Sequence, residues 1–140
     1  DSQAMLAALA DAQLPSIAIN YINLHGTATQ HSDAMESQAV FRVFTDSVPC
    51  SSTKPMTGHT LGAAGALEAA FCWLSLHPRY NPNSLLPAHL WDGCVDESLP
   101  AIQLCDRQQG LATAAPHWLM SNSFAFGGNN TSLILGEASC

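Results

Sequence analysis

Strand-like and helix-like segments alternate along this chain, and their order restricts the possible folds more than any other feature. Residues 2–13 have helical spacing, with Met5, Leu6, Leu9 and Ala12 on one side. A second helix is predicted up to about Thr45 and a third at 61–76. Strands are predicted at 17–24, 48–52, 101–105, 118–123 and 131–135. After the first helix, the order β, α, β, α, β, β, β predicts an α/β fold, a mixed five-stranded sheet covered by helices.

Finer features of these elements are also predicted. Ile17, Ile19 and Tyr21 alternate along the first strand, and Met35, Ala39, Val40 and Val43 form the buried stripe of the second helix. Residues 52–60 are predicted to be a loop. Four prolines predict an irregular connection over 78–100, and residues 125–130 form a turn rich in residues that tolerate positive φ.

Two histidines and a lysine lie in turns made of small residues. His25-Gly26 directly follows the first predicted strand, and the loop after the second carries Lys54 and His59. We expect these turns to direct both imidazoles and the ammonium outward and to converge at one edge of the sheet. Two neutral imidazoles that donate N–H bonds to one oxygen would stabilise an enolate or oxyanion there.

Two acidic residues begin the second predicted helix. Ser32 or Asp33 is a candidate N-cap, and Glu36, three residues after Asp33, completes the spacing of a capping box. Glu36 is also a candidate partner for the ammonium group of Lys54.

Composition excludes several classes of function. Only 11% of residues are charged, which suggests that part of the exterior faces another domain or subunit; a sparsely charged independent domain is the alternative. The net charge is -7 and the four Lys and Arg residues are scattered, so nucleic-acid binding is disfavoured. We expect no membrane span and no secretory signal, and therefore a soluble protein.

The five cysteines include no C-x-x-C pair, which argues against a zinc knuckle and a disulfide framework. Reduced thiols in a cytoplasmic protein fit this pattern. Cys72 lies in an apolar helical segment and is predicted to be a core residue. No cysteine lies in a small-residue turn that opens a helix, so a catalytic thiol within this chain is disfavoured.

Three motifs resemble β-ketoacyl-acyl-carrier-protein synthases of the elongating type I/II class. The first is His25-Gly-Thr-Ala-Thr29 followed by Asp33 and Glu36; the second is the segment 52–65, STKPMTGHTLGAAG; the third is the segment 122–130, NSFAFGGNN. The motifs occur in the family's order and cover nearly the whole chain. Polyketide ketosynthases share them, so the branch of the family stays open.

The resemblance implies a thiolase-like fold in which residues 1–140 form the C-terminal domain. The family's nucleophilic cysteine belongs to the N-terminal half, so this chain has no nucleophile of its own and is expected to be inactive alone. The implied reaction is a decarboxylative Claisen condensation of a malonyl thioester. His25 and His59 would stabilise the enolate, and Lys54 would pair with Glu36.

The resemblance also implies how substrates arrive. Thr27 and Thr29 would bind the phosphopantetheine arm of an acyl carrier protein, which carries the substrates, and no other cofactor is expected. Phe126 would gate the acyl pocket, with Gly127 and Gly128 giving the backbone freedom. Ala125 replaces a glycine that the family commonly has there, which suggests a less mobile gate.

The expected partners are the carrier protein, the N-terminal half of the same synthase and a second subunit, in a homodimer or heterodimer. Carrier proteins are acidic, so the docking surface is expected outside this acidic chain. Two alternatives stay open. One is a non-catalytic partner that resembles a chain-length factor; the other is a metal site made of His25, His31, Asp33 and His59, although the main hypothesis includes no metal.

Overall fold

A computed structural model shows a five-stranded mixed sheet with helices on both faces, and it describes residues 1–137 apart from the side chain of Phe126. The helices are α1 (Ser2–Ala12), α2 (Gln30–Phe44), α3 (Lys54–Thr57) and α4 (Ala64–Leu76). The strands are β1 (Ile19–Asn23), β2 (Pro49–Ser51), β3 (Gln103–Leu104), β4 (Trp118–Phe124) and β5 (Asn130–Gly136). The predicted fold class is confirmed.

The sheet has the strand order β3-β2-β1-β4-β5, with β1 at its centre. β3, β2, β1 and β4 run parallel, and β5 pairs antiparallel with β4. In this register, Asn23 of β1 lies beside Ser51 of β2 and Ser121 of β4. The chain therefore leaves β1, β2 and β4 at the same edge of the sheet.

The two faces of the sheet bury separate apolar clusters. On one face, Met5 and Leu9 of α1 and Val40 of α2 pack with Ile22 and Met120. On the other, Cys72 of α4 packs with Tyr21 and Leu119, which confirms Cys72 as a core residue. Fully burying one large aliphatic side chain contributes about 1.5–3 kcal/mol, so these clusters hold the helices on the sheet.

Several local predictions were wrong. Ile17 is 87% exposed because it lies in a 3₁₀ turn, Ser16–Ala18, and the strand begins only at Ile19. Leu6 is exposed on α1, and Met35 is exposed on α2, where Phe44 is buried instead. The predicted loop 52–60 contains α3, whose second residue, Pro55, suits the first turn of a helix because its missing N–H is not needed there.

The predicted capping box is also absent. α2 begins at Gln30 with Thr29 in the N-cap position, and no side chain caps it. Glu36 cannot serve the helix start because its carboxylate is buried and faces the end of β1 instead. Asp33 and Glu36 therefore do not form a capping box, and Glu36 binds the turn after β1 instead.

The segment between α4 and β3 is irregular, as predicted, with turns at 78–80 and 82–83. Three backbone bonds join it to the chain after β3: Leu86 N–H donates to the carbonyl of Gln109, His89 N–H to the carbonyl of Cys105, and Leu111 N–H to the carbonyl of Ser84. No helix among residues 1–137 is long and apolar enough to cross a membrane.

Candidate functional site

The carboxyl ends of β1 and β2 bring the predicted site residues together. His25 lies two residues after β1, and Lys54 lies three residues after β2 as the first residue of α3. The turn after α3 places His59 beside His25, at the same edge of the sheet. The expected convergence at one sheet edge is therefore present in the structure.

The rings of His25 and His59 are direct neighbours. Their centroids lie 5.7 Å apart and their planes are perpendicular. The ring of Phe124, the last residue of β4, lies 6.1 Å from His25 on the same edge. His25 is half-buried and His59 is exposed, so the pair lies at the surface of this chain with one ring set into it.

One hydrogen bond fixes the proton position on His59. The backbone N–H of Leu61 donates to Nδ1 of His59 at 3.2 Å. A ring nitrogen that accepts a hydrogen bond carries no proton, so the proton of the neutral ring lies on Nε2. His59 is thus oriented to donate from Nε2.

His25 is held in its neutral form. Burial, the positive charge of Lys54 and the neighbouring His59 lower the pKa of His25 to about 4. Its Nδ1 atom is buried and has no hydrogen-bond partner among the residues that the structure describes. At neutral pH the site therefore offers an uncharged imidazole beside His59.

Glu36 fixes the turn that carries His25. Its two carboxylate oxygens accept the backbone N–H groups of His25 at 2.9 Å and of Gly26 at 2.8 Å. The side-chain amide of Asn122 on β4 donates to the same carboxylate at 3.2 Å. Burial raises the pKa of Glu36, and these three donors act against that rise. Glu36 thus shapes the turn from inside the protein.

Lys54 forms an ion pair with Glu68 of α4, so the prediction that it pairs with Glu36 is wrong. The Lys54 ammonium donates to a carboxylate oxygen of Glu68 and to the backbone carbonyl of His25. Lys54 is only 7% exposed, so its ammonium faces inward and not outward as predicted. Glu36 is occupied by backbone donors, which leaves Glu68 as the carboxylate within reach.

Sequence reasoning missed Glu68, although a signal was present. Glu68 is the only charged residue of α4, in a segment otherwise made of apolar residues, Gly65 and Ser75. A lone acidic residue on an apolar helix needs a buried partner, since an unpaired buried charge is costly. Burial raises the pKa of Glu68, whereas the contact with Lys54 lowers it.

Ser52 ties the two turns together. Its hydroxyl donates to the carbonyl of Gly26 at 3.0 Å and accepts the N–H of Lys54 at 3.3 Å. Gly26 has a φ of 41°, and a Cβ there would lie 2.5 Å from Cβ of Ser52. Only glycine allows this close approach, so the backbone after β1 depends on it.

The predicted pantetheine-binding threonines lie beside this site. Thr27 is half-buried and Thr29 is exposed, and their hydroxyl oxygens are 3.3 Å apart. Thr27 lines a cavity of about 1340 Å³ together with Lys54 and His59. Asp33 lines the same cavity. Burial raises the pKa of Asp33, while hydrogen bonds from the backbone of Ala28 and Thr27 act to lower it.

The predicted gate lies only partly within the described structure. The segment Phe126–Gly128 forms a 3₁₀ turn between β4 and β5, and Gly127 and Gly128 have φ values of 78° and 81°. This confirms the predicted turn with positive φ. The Phe126 side chain lies outside the described residues, so its role as a gate stays a prediction.

Three buried cysteines of the described part have thiols that are harder to ionise than a free thiol. Burial raises the pKa of Cys50, and it raises those of Cys72 and Cys105 to about 12. Cys94 is exposed in the irregular segment, and Cys140 lies outside the described residues. Within 1–137, no three His, Cys, Asp or Glu residues are grouped so that they could hold a metal ion.

Comparisons with known proteins identify the family of this chain. The family described as "Beta-ketoacyl synthase, C-terminal domain" matches residues 1–86. The chain is 37% identical over 136 residues to 3-oxoacyl-[acyl-carrier-protein] synthase 2 of Coxiella burnetii, covering 95% of this chain and 31% of that protein. It is 42% identical over 120 residues to synthase 1 of Haemophilus influenzae, covering 83% of this chain and 27% of that protein.

A solved structure supports the same relationship. A chain in the complex of the ketosynthase ApeO with its chain length factor ApeC from Xenorhabdus doucetiae superposes with a TM-score of 0.85 and is 49% identical. The match covers 98% of this chain and 33% of that chain. The fold is therefore thiolase-like, as expected from the sequence.

The chain belongs to the β-ketoacyl synthase family and carries its C-terminal domain. It spans about a third of the length of the curated relatives that it matches, 31% and 27% for the two named above. Both of these relatives are 3-oxoacyl-[acyl-carrier-protein] synthases.

Proposed function

We propose that this chain is the C-terminal part of a β-ketoacyl-acyl-carrier-protein synthase that condenses malonyl thioesters with acyl thioesters in fatty-acid or polyketide synthesis. The observation that carries the proposal is the contact between two imidazole rings at 5.7 Å, one of which is held neutral by burial and by Lys54. Neighbouring imidazole N–H donors suit an oxygen on which negative charge develops.

In the proposed reaction, the carbon–carbon bond to the malonyl carboxylate breaks and CO₂ leaves. The bonding electrons form an enolate, whose oxygen accepts N–H bonds from His25 and His59. The enolate carbon then attacks the acyl thioester held on a cysteine supplied by another part of the synthase. A new carbon–carbon bond forms, and the cysteine thiolate leaves.

Lys54 serves this reaction through position and charge. Its ammonium holds the carbonyl of His25 and is anchored by Glu68, so the turn after β1 is fixed to α4. The same charge disfavours protonation of His25. A doubly protonated His25 would repel the Lys54 ammonium, and keeping the ring neutral maintains the geometry through the reaction.

The remaining roles follow from the family. Thr27 and Thr29 hydrogen-bond the phosphopantetheine arm, Asp33 and Glu36 support the turn, and Phe126 with Gly127 and Gly128 gates the acyl pocket. The partners are an acyl carrier protein, the N-terminal half of the synthase and a second synthase subunit. The carrier docks mainly outside this chain, whose net charge is -7. Without the N-terminal half and its cysteine, the chain is inactive.

A non-catalytic, chain-length-factor-like subunit is the second candidate, because the related solved structure contains such a partner. Catalysis is favoured here because this chain keeps both histidines and the lysine. The corresponding N-terminal half discriminates between the candidates: a cysteine in the turn that opens a helix there supports the enzyme, and glutamine or another residue at that position supports the scaffold.

The proposed role of His59 can be tested in the full-length synthase with His59→Ala and, as a matched control, the exposed His31→Ala. Loss of one oxyanion donor lowers rates by about 10²–10³-fold, so CO₂ release from malonyl thioester should fall by this amount in His59→Ala only. Acyl transfer to the cysteine should persist in both variants. Unchanged CO₂ release in His59→Ala would contradict the proposal.

A further inference from the structure

A third histidine, His89, lies beside the site in the irregular segment between α4 and β3. Its Nδ1 atom accepts the backbone N–H of Ser52 at 3.0 Å. Its own backbone N–H donates to the carbonyl of Cys105 at 2.9 Å, which fixes His89 next to β3. The ring is thus placed by the backbone and aimed at the end of β2.

The contact between His89 and Ser52 affects the turns that carry His25 and Lys54, because Ser52 bonds both of them. The hydroxyl of Ser52 holds the carbonyl of Gly26 at 3.0 Å and the N–H of Lys54 at 3.3 Å. Gly26 is the neighbour of His25 in the chain, and Lys54 bonds the carbonyl of His25. A shift of Ser52 would therefore displace both Gly26 and Lys54, and with them the backbone of His25.

We propose that His89 is a positioning residue for the His25–Lys54 site, and that it holds Ser52 only while its ring is neutral. This rests on the proposed ketosynthase function. The protonation state matters because Nδ1 must lack a proton to accept the N–H of Ser52. A protonated ring would have two donors and would leave that N–H without its acceptor.

The surroundings of His89 act on its proton in opposite directions. Burial lowers the pKa of His89, and the negative charge of Asp33 on α2 raises it. Other titratable side chains line the same cavity from α2, α3, the turn after α3 and the irregular segment: Glu36, Lys54, His59, Asp92, Asp96 and Glu97. Burial prevails, so the neutral ring is the form present at neutral pH.

The test compares His89→Asn with His89→Gln in the full-length synthase. The side-chain oxygen of Asn can occupy the place of Nδ1 and accept the N–H of Ser52, whereas Gln places its oxygen near the position of Nε2. Loss of one buried hydrogen bond costs on the order of tenfold in rate. We expect about tenfold lower kcat for malonyl decarboxylation in His89→Gln, little change in KM, and near-wild-type kcat in His89→Asn.

Two further readouts separate positioning from general stability. The acid limb of the wild-type pH–rate profile should move to lower pH in His89→Asn, because Asn has no proton to gain. Hydrogen exchange at the Ser52 amide should be faster in His89→Gln and unchanged in His89→Asn. Equal kcat, pH profile and Ser52 exchange in both variants and the wild type would overturn the proposal, as would equal losses in both variants.

The exchange readout also separates this proposal from the proposed function. If the wild-type protein releases no CO₂ from malonyl thioester, the proposed function fails. Faster exchange at Ser52 in His89→Gln alone would still support the role of His89 in holding Ser52. Slow exchange in both variants would overturn that role whatever the activity.

Discussion

The two ends of the central sheet each hold a histidine near a carboxylate, yet the pKa of the histidine shifts in opposite directions at the two ends. At the carboxyl end, burial and the charge of Lys54 lower the pKa of His25 to about 4. At the amino end, burial tends to lower the pKa of His117, but hydrogen bonds to Glu137 and to the carbonyl of Ala112 outweigh it and raise the pKa.

The geometry explains this difference. At the amino end, Nδ1 of His117 lies 3.0 Å from Glu137 and Nε2 lies 2.6 Å from the Ala112 carbonyl. Both partners accept hydrogen bonds, so the ring is most stable with two protons. At the carboxyl end, the carboxylate of Glu36 is turned away from the ring of His25 and binds backbone N–H groups. Accepting partners on both ring nitrogens thus favour the protonated form of His117, whereas burial and the charge of Lys54 keep His25 neutral.

The largest effect on this arrangement is expected from Glu36→Ala. It would leave the N–H groups of His25 and Gly26 and the amide of Asn122 without their buried acceptor, at a cost on the order of 4 kcal/mol in unfolding free energy. Urea unfolding of the full-length protein measures this. Glu36→Gln is the matched control, since it keeps one oxygen acceptor and should lose less. A loss below about 1 kcal/mol in Glu36→Ala would refute the role of Glu36.

The Lys54–Glu68 pair should show the next largest effect. Lys54→Met leaves the Glu68 carboxylate buried without its partner, which costs about 3 kcal/mol, the lower end of the range for breaking a buried ion pair. The double variant Lys54→Met/Glu68→Leu removes both charges and should be less destabilised than the two single variants added together. Unfolding free energies of the four proteins form the double-mutant cycle. Strict additivity would show that the two side chains do not interact.

The smallest effect is expected at the amino end of the sheet. Glu137 is partly exposed, so Glu137→Gln should cost about 0.2–1 kcal/mol at pH 5. The raised pKa of His117 implies that the contribution is present below about pH 6.5 and is lost as pH rises through the pKa of the folded state. Urea unfolding at pH 5 and pH 9 checks this. A larger loss at pH 9 than at pH 5 would reverse the assigned sign.

The sequence was sufficient to place His25, Lys54 and His59 together, because parallel strands end at one edge and both turns follow such strands. It also predicted the sheet and the three longer helices, although not α3. It was not sufficient to assign partners to Lys54 and Glu36. Sequence spacing fits a capping box as well as a buried carboxylate, and the choice depends on how α2 and α4 pack on the sheet.

Other site contacts depend on still longer-range packing. Asn122 reaches Glu36 across 86 residues, and His89 reaches Ser52 from a segment with no regular structure. Periodicity gives no signal for either contact, since neither residue belongs to an apolar stripe that faces its partner. Such contacts follow only from the assembled fold.

The most direct test of the account is an NMR titration of ¹⁵N-labelled histidines in the full-length protein, with His25→Asn and His117→Asn used for assignment. The account predicts that the His25 ring stays neutral down to about pH 5 and titrates near 4, while His117 titrates above its ordinary value of about 6.5. A His25 ring that is protonated at pH 7 would contradict the proposal that this end of the sheet offers a neutral His25, beside His59, to a developing oxyanion.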